Sequence, residues 1–443
     1  MLIDKLDQYI EDNYYSFAMP GHKRNKNILN KALPYDRDIT EIRGFDNLND
    51  PKTIFKDMED KLKEIYKSFD FIISTNGSTC GILSSIRTLT RKNKNILVQR
   101  NSHKSVYNAI EIFNLDADFI DLLIDCDIAY DIDYDDLENK LKNKDYSAIV
   151  LTSPSYEGFM LNLKRIRKIS KNTKIILDMA HGSHLILDKL YDELDFDIAI
   201  TSFHKNLSAL TPAGGVIINN KSIDKKEVRR NMAIFQTSSP SYIICQSIDD
   251  MIDNFQKFYM LYNSLNENLD DLYNIKLSNL KFINNKNKDK SKILISCKNT
   301  NINGNDFSNF LYKKKIEVEM VSYSYVLLLS SIFNQKKDFN KLKQTIINMD
   351  KNLSYKKDNF DFSYKIPKRA LSINDALRRK KKIVDFNNAD KKISGSFIYA
   401  YPPGIPLIVP GEIFDIDIIS NIKNLLEQSV QLNIEKGGFI ILD

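Results

Sequence analysis

The chain has 443 residues, 42% of them hydrophobic and 28% charged, enough for a large buried core and too many for one ordinary domain, so two or three lobes are expected. Its net charge of +6 is a small surplus of 64 basic over 58 acidic residues, a surface of mixed sign that argues against a nucleic-acid partner. No run reaches a membrane span, the start lacks a signal-peptide pattern, and the four scattered cysteines (Cys80, Cys126, Cys245, Cys297) form no Cys-x-x-Cys pair, so a cytoplasmic protein with core thiols is expected, with no membrane contact.

Residues 1–15 read as a short helix with Leu2, Ile3, Leu6 and Ile10 on one face, and from Pro51 onward Ile54, Met58, Leu62 and Ile65 mark a second. The stretches around Pro20 and over 38–51 have neither period and read as ordered loops. Between 70 and 220, short apolar runs alternate with amphipathic stretches. Strands are expected at 71–74, 95–98, 118–120, 148–152, 174–177, 197–201 and 215–218. That alternation predicts a mostly parallel sheet covered by helices on both faces. A long helix follows over 243–275, then a strand, helix, strand, strand and helix at 292–296, 306–312, 316–321, 325–329 and 338–349, which make a compact α+β lobe. The polar stretch 350–364 reads as a loop. The basic run at 378–382, without interleaved aromatics, reads as a solvated helix face. Four prolines and two glycines between 398 and 412 dictate a fixed extended path.

In open α/β sheets, ligands lie beyond the carboxyl ends of the strands. Those ends carry Thr-Asn-Gly-Ser-Thr (75–79), Arg-Asn-Ser-His (100–103), Ser-Pro-Ser-Tyr (153–156), Asp-Met-Ala-His (178–181) and Ser-Phe-His-Lys (202–205). Of the five histidines, His103, His181 and His204 fall in these groups, and none follows residue 204. Gly77, Ser78 and Thr79, opening a helix, offer free amides and hydroxyls to an anion, although the same residues also serve as an ordinary helix start. A lysine is usually a solvated charge. Lys205 differs because it follows an apolar strand while Asp178 ends another. A carboxylate and a lysine at the ends of neighbouring strands are the two main handles on pyridoxal 5'-phosphate (PLP): the carboxylate keeps the ring nitrogen protonated and the amine takes the aldehyde. Ser202 with 77–79 then completes a phosphate site, and His103 is the candidate for stacking on the ring, a core histidine being the plain alternative. Asp178, His181 and His184 recur every three residues, but no Glu or Cys joins them and no metal is expected.

Together the segments Pro-Gly-His-Lys-Arg (20–24), Asp-Ile-Thr-Glu (38–41), Asn-Gly-Ser-Thr (76–79), Arg-Asn-Ser-His-Lys-Ser (100–105), Ser-Pro-Ser-Tyr-Glu-Gly (153–158), Asp-Met-Ala-His-Gly-Ser-His (178–184), Ser-Phe-His-Lys (202–205), Gln-Thr-Ser-Ser-Pro-Ser-Tyr (236–242) and Tyr-Pro-Pro-Gly-Ile-Pro (401–406) resemble the ornithine/lysine/arginine decarboxylase family of PLP enzymes. The resemblance implies the fold type I architecture of PLP-dependent transferases. That is a large α/β domain with a mostly parallel sheet flanked by helices, and a smaller α+β C-terminal domain. It divides the chain into an N-terminal segment, 1–50, that contributes to the dimer and active site, a PLP-binding domain, 51–285, and a small domain, 286–443. It further implies that Lys205 carries the cofactor, that Asp178 pairs with the ring nitrogen, and that His103 and Ala180 lie on the two ring faces. Ser78, Thr79, Ser202 and His204 would surround the phosphate, with His181 also at the cofactor. Thr237 or Ser238 would reach the phosphate of a neighbouring subunit in a homodimer, possible parent of a higher oligomer. The chain looks like the short form of the family, without a receiver-like N-terminal domain. Met179 and the Ser-Gly-Ser at 394–396 depart from the commoner family residues, and the second departure puts the substrate in doubt.

The implied activity is decarboxylation of a small basic amino acid, arginine favoured and lysine or ornithine open, with Glu41, Asp46 and Glu157 as acids able to receive its distal cation. An aminotransferase of the same fold would want an arginine clamp in the C-terminal lobe, where only Arg369, Arg378 and Arg379 follow residue 230. A non-catalytic PLP-binding homologue is the other alternative.

Overall fold

Alternating apolar runs become strands wherever both faces are covered. The structure, a computed structural model, describes residues 1–12, 19–20, 22–24, 32–125, 127–284, 287–357, 366–401, 405–427, 431–435 and 438–443. It divides into two units, Met1–Leu89 with Ile175–Leu261, and Thr90–Lys174 with Tyr262–Asp443.

The first unit contains α1 (Leu2–Glu11), α2 (Ile54–Ile65), β1 (Asp70–Ser74), α3 (Gly77–Leu89), β7 (Lys174–Met179), β8 (Ile198–Ser202), α7 (Phe203–Asn206), β9 (Gly214–Ile218), α8 (Lys225–Phe235) and the start of α9 (Tyr242–Tyr273). Its strands lie in the order β1-β9-β8-β7. β7 and β8 are parallel, whereas β9 runs antiparallel to both β8 and β1. Every residue of β8 and β9 is buried, which explains why these strands read as continuous apolar runs rather than alternating ones. Gly214 and Gly215 let β9 enter between its neighbours: a Cβ on the first would meet the Thr201 carbonyl at 2.5 Å, and one on the second would strike the Phe71 ring. Helix α3 packs on β8, β9 and α8. Glu59 of α2, fully buried, accepts hydrogen bonds from Ile73 N of β1 (3.1 Å) and Arg229 of α8 (2.5 Å), so one carboxylate joins three elements. Burial raises that carboxyl above its ordinary value, and Arg229 and Lys225 pull it back.

The second unit contains the parallel set β6-β2-β3, formed by β2 (Asn95–Gln99), β3 (Asp116–Ile120) and β6 (Ala148–Thr152). Around them stand α4 (Lys104–Ile112), the hairpin β4 (Leu122–Asp125) and β5 (Ile128–Ile132), α5 (Tyr134–Asn143) and α6 (Leu163–Ser170). A four-stranded antiparallel sheet, β10-β11-β13-β12, uses β10 (Lys281–Phe282), β11 (Lys292–Ser296), β12 (Met320–Val321) and β13 (Tyr325–Leu329), with α10 (Gly304–Lys313) and α11 (Lys336–Asp350). The remainder holds α12 (Ile373–Arg378), β14 (Lys381–Val384), β15 (Ile398–Tyr401), β16 (Ile405–Ile408), α13 (Ile416–Glu427), β17 (Gln431–Leu432) and β18 (Phe439–Leu442). Its apolar centre is Ile398, Ile408, Phe414, Ile422, Phe439 and Ile441.

Three expectations change. The strand expected at 316–321 is reduced to β12, because the chain leaves α10 through Lys315 at φ 60° and Ile316 N bonds back to Leu311 O, a helix stop that takes up the first half of the run. The basic run 378–382 is not one helix face: α12 ends at Arg378, and Lys381 and Lys382 lie on β14 paired with β18. The proline-rich path doubles back, since β15 and β16 pair antiparallel, and its residues 402–404 lie outside the described residues. The β4–β5 hairpin had no sequence reading at all. Cys80, Cys245 and Cys297 are buried, while Cys126 lies outside the described residues. Among the described residues, no helix is long and apolar enough to cross a membrane.

Candidate active site

Strand β8 delivers its last residue, Ser202, straight into the short helix α7, which carries His204 and Lys205. Phe203 anchors that helix, stacked on Phe71 with centroids 5.9 Å apart and packed beside Tyr66. The parallel register sets Asp178 opposite Ile200 and Met179 opposite Thr201, so residues just past both strands emerge side by side. In consequence Lys205 Nζ lies 2.9 Å from His181 Nε2, both side chains half-buried. Asp178 is 5% exposed and its Oδ1 accepts the Ala180 amide at 3.1 Å, so the carboxylate is kept from water yet retains accepting capacity.

His204 Nδ1 is 2.8 Å from the Ala213 carbonyl oxygen. A carbonyl only accepts, so Nδ1 carries the hydrogen. Burial lowers the pKa of this imidazole below its ordinary value, the charge of Lys205 acts in the same direction and the Ala213 bond opposes them. The ring is therefore neutral at neutral pH, and its Nε2 can donate to an anion only after gaining a proton.

Two buried hydroxyls stand at the ends of β8 and β1. Ser202 Oγ, on a residue 0% exposed, and Thr75 Oγ1, on a residue 4% exposed, have no hydrogen-bond partner among the described residues. Leaving a buried hydroxyl unpaired costs about 1–3 kcal/mol, so such atoms call for a ligand. Thr75 precedes the turn at Gly77, whose φ of +75° suits glycine, and that turn opens the 13-residue α3. Ser78 is half-buried and Thr79 exposed in its first turn. Gln236 Oε1 accepts the Thr75 amide at 3.2 Å, while Gln236 Nε2 donates to Asn49 Oδ1 at 3.3 Å. Thr237 and Ser238 are exposed beside it, their carbonyls each 3.4 Å from Asn49 Nδ2. Thr75 and Gln236 stood within quoted sequence groups but were given no role of their own, and Asn49 was not among the candidates. Thr75 was open to discovery as the first polar residue after β1 and Gln236 as the head of its motif, whereas nothing local marks Asn49. The arrangement offers an amine, a carboxylate, anion-seeking hydroxyls and helix amides within one unit.

In the second unit His103 caps α4: its Nδ1 accepts the Ser105 amide at 3.2 Å and lies 2.8 Å from Ser105 Oγ. Three residues earlier Arg100 forms a two-point ion pair with Glu412, at 2.7 and 2.8 Å, both residues 0% exposed. Arg100 also donates to Leu407 O (3.3 Å), and Glu412 accepts the Val409 amide (2.9 Å), so the end of β2 is locked to the segment after the prolines.

Of the three acids proposed for a substrate cation, Asp46 is spent: its carboxylate accepts the amides of Asn47, Lys52, Thr53 and Phe55 ahead of α2. Glu157 is buried against Ser155 Oγ (2.9 Å) and Tyr325 OH (3.3 Å), and burial raises its carboxyl above the ordinary value. Glu41 is half-buried. Arg369 pairs with Asp116 and Asp118 at 3.2 and 2.9 Å, and Arg378 and Arg379 are exposed.

Residues 1–290 match the Orn/Lys/Arg decarboxylase major domain, and residues 359–433 its C-terminal domain. The chain is 27% identical to an arginine decarboxylase of Bacillus anthracis, over 96% of this chain and 93% of that one, and 26% identical to one of Bacillus subtilis, over 92% and 90%. A lysine decarboxylase of Francisella novicida superposes with a TM-score of 0.85 at 17% identity, covering 100% of this chain and 81% of that one. A structure of SPT with PLP matches 66% of this chain and 76% of its own, with a TM-score of 0.52 at 14% identity. The large α/β domain of fold type I and the separate C-terminal domain follow from these likenesses. The chain belongs to the Orn/Lys/Arg decarboxylase family of amino-acid decarboxylases.

Proposed function

We propose that the protein binds PLP at Lys205 and decarboxylates a basic amino acid, arginine before lysine or ornithine, to the amine and CO2. The observation that carries this reading is the half-buried Lys205 amine on the same β8–α7 turn as the partnerless Ser202 hydroxyl. Bound PLP supplies an electron sink for the pair left behind when CO2 departs. Everything else falls to the chain. Asp178 accepts the proton-bearing ring nitrogen and keeps the ring cationic. Ser202, Thr75, Ser78, Thr79 and the first amides of α3 hold the phosphate, and His204 joins them once protonated. Ala180 lies against one face of the ring.

Decarboxylation is preferred to amino transfer because an arginine clamping the substrate carboxylate would oppose its departure. Of the three late arginines, Arg369 is already paired with Asp116 and Asp118. Arginine as substrate leans on the relatives named arginine decarboxylase. In the same reading, 51–285 is the cofactor domain and 286–443 the small domain, and two copies pair so that Thr237 or Ser238 of one approaches the phosphate in the other. The test is CO2 release from arginine, lysine and ornithine side by side, with Lys205→Ala as control. Release from none of the three, or undiminished release by the variant, ends this reading.

A further inference from the structure

Replacing a carboxylate by hydrogen consumes a proton: R–CH(NH3+)–COO− plus H+ gives R–CH2–NH3+ plus CO2. The electron pair of the broken carbon–carboxylate bond ends in the new C–H bond, so each turnover takes up one proton overall and a proton must be delivered to Cα. Lys205 can donate it, but a lysine that has donated must be reloaded before the next cycle.

We propose that His181 is the relay that reloads Lys205: a proton passes from water to the imidazole, from His181 Nε2 to Lys205 Nζ, and from Nζ to Cα. The inference rests on the decarboxylase reading above and adds to it a residue that acts through Lys205. Three observations single out His181 among the histidines of this unit. It lies within hydrogen-bond distance of Nζ, at 2.9 Å. It is partly exposed, although its Nδ1 is turned away from water, whereas His184 is 2% exposed. His204, although adjacent to Lys205 in sequence, has its Nδ1 engaged by the Ala213 carbonyl, and His22 faces Asp38 at 3.2 Å. The β7–β8 register makes the contact, because it brings the residue two past the end of β7 beside the helix that follows β8. Among the described residues, the other titratable groups on the flanking elements are Lys174 and Asp178 of β7, His184 and His204. An imidazole, whose ordinary pKa is about 6.5, exchanges protons with water near neutrality far more readily than an amine does.

Two measurements test the relay. In the cofactor-free protein, the imidazole titrations are followed by NMR in the wild type and in Lys205→Ala. Removing a cation in hydrogen-bond contact should raise the pKa of His181 by on the order of one unit or more, and an unchanged titration would falsify the coupling. In the PLP-loaded enzyme, His181→Asn and His181→Gln keep a polar group of similar reach but carry no exchangeable charge. Both should retain bound cofactor and an almost unchanged KM, lose about a hundredfold in kcat, and release a larger share of aldehyde, the product when the proton arrives at the cofactor instead of Cα. Wild-type kcat and product ratio in both variants overturn the relay, as does loss of bound PLP, which would make His181 only a cofactor anchor. If the wild-type enzyme releases CO2 from no basic amino acid, the decarboxylase reading falls and the relay with it, while the His181–Lys205 coupling in the cofactor-free protein still reports on the contact itself.

Discussion

Two regions of the molecule bury polar groups in opposite ways. Around Lys205 the hydroxyls of Ser202 and Thr75 are buried without a partner among the described residues. Around Arg100, Glu412 and Glu157 the buried polar groups answer one another, guanidinium to carboxylate, carboxylate to amide, carboxylate to hydroxyl. The first pattern costs stability in the protein alone and is recovered when a ligand arrives. The second returns its cost within the fold. A buried ion pair answered within the fold holds the scaffold, and unpaired hydroxyls gathered near a lysine leave groups for a ligand to pair, although single unpaired hydroxyls such as Ser102 Oγ occur elsewhere as well.

Substitutions in the two regions should accordingly fail in different assays. Lys205→Ala should reduce decarboxylation by at least about a thousandfold, ~4 kcal/mol in the barrier, with an unfolding midpoint close to wild type; CO2 release and urea denaturation measure the two. Arg100→Ala leaves Glu412 buried and unpaired and should cost about 3–5 kcal/mol of stability. Replacing both partners by methionine should restore much of that, which the same denaturation curves would show. Ser202→Ala should weaken PLP binding about tenfold, ~1.4 kcal/mol, while leaving the cofactor-free protein as stable as before or slightly more so, since it deletes a hydroxyl that has no bond to lose. A stability loss equal to the loss of affinity would erase the contrast between the regions. The smallest effect belongs to Glu157→Gln. Because burial raises the folded-state pKa of Glu157, its contribution is full below the ordinary carboxylate value and is lost as pH rises through the raised value. Glutamine removes that slope, so stability measured from pH 4 to pH 8 should fall less steeply than in the wild type.

Much of this was legible before any coordinates. The strand at 148–152 was placed residue for residue, and Lys205 and Asp178 were picked out by their positions at strand ends, because a strand buried on both faces leaves an uninterrupted apolar run that ends abruptly in polar chemistry. The half-strand at 316–321 misled because its side-chain alternation is genuine while its backbone is diverted by positive φ at Lys315, a conformation that a lysine does not advertise. Asp46 offered a free acid in sequence and proved to be a cap for backbone amides. The His181–Lys205 contact was beyond reach, since it depends on the register between two strands rather than on any spacing in the chain. Gln236 met Thr75 across 161 positions for the same reason.

The Arg100–Glu412 pair also bears on how the chain is made. Its partners are separated by 312 positions, and at about 5–20 residues per second a ribosome needs roughly 15–60 s to pass from one to the other. Throughout that interval the β2–α4 segment holds a cation whose buried ion-pair partner has not been made, so it lacks the contact that closes it in its final form. The closing ion pair thus acts as a check on how far synthesis has gone: a chain stopped short of Glu412 should keep the Arg100 segment open to protease, and a chain that has passed it can seal it.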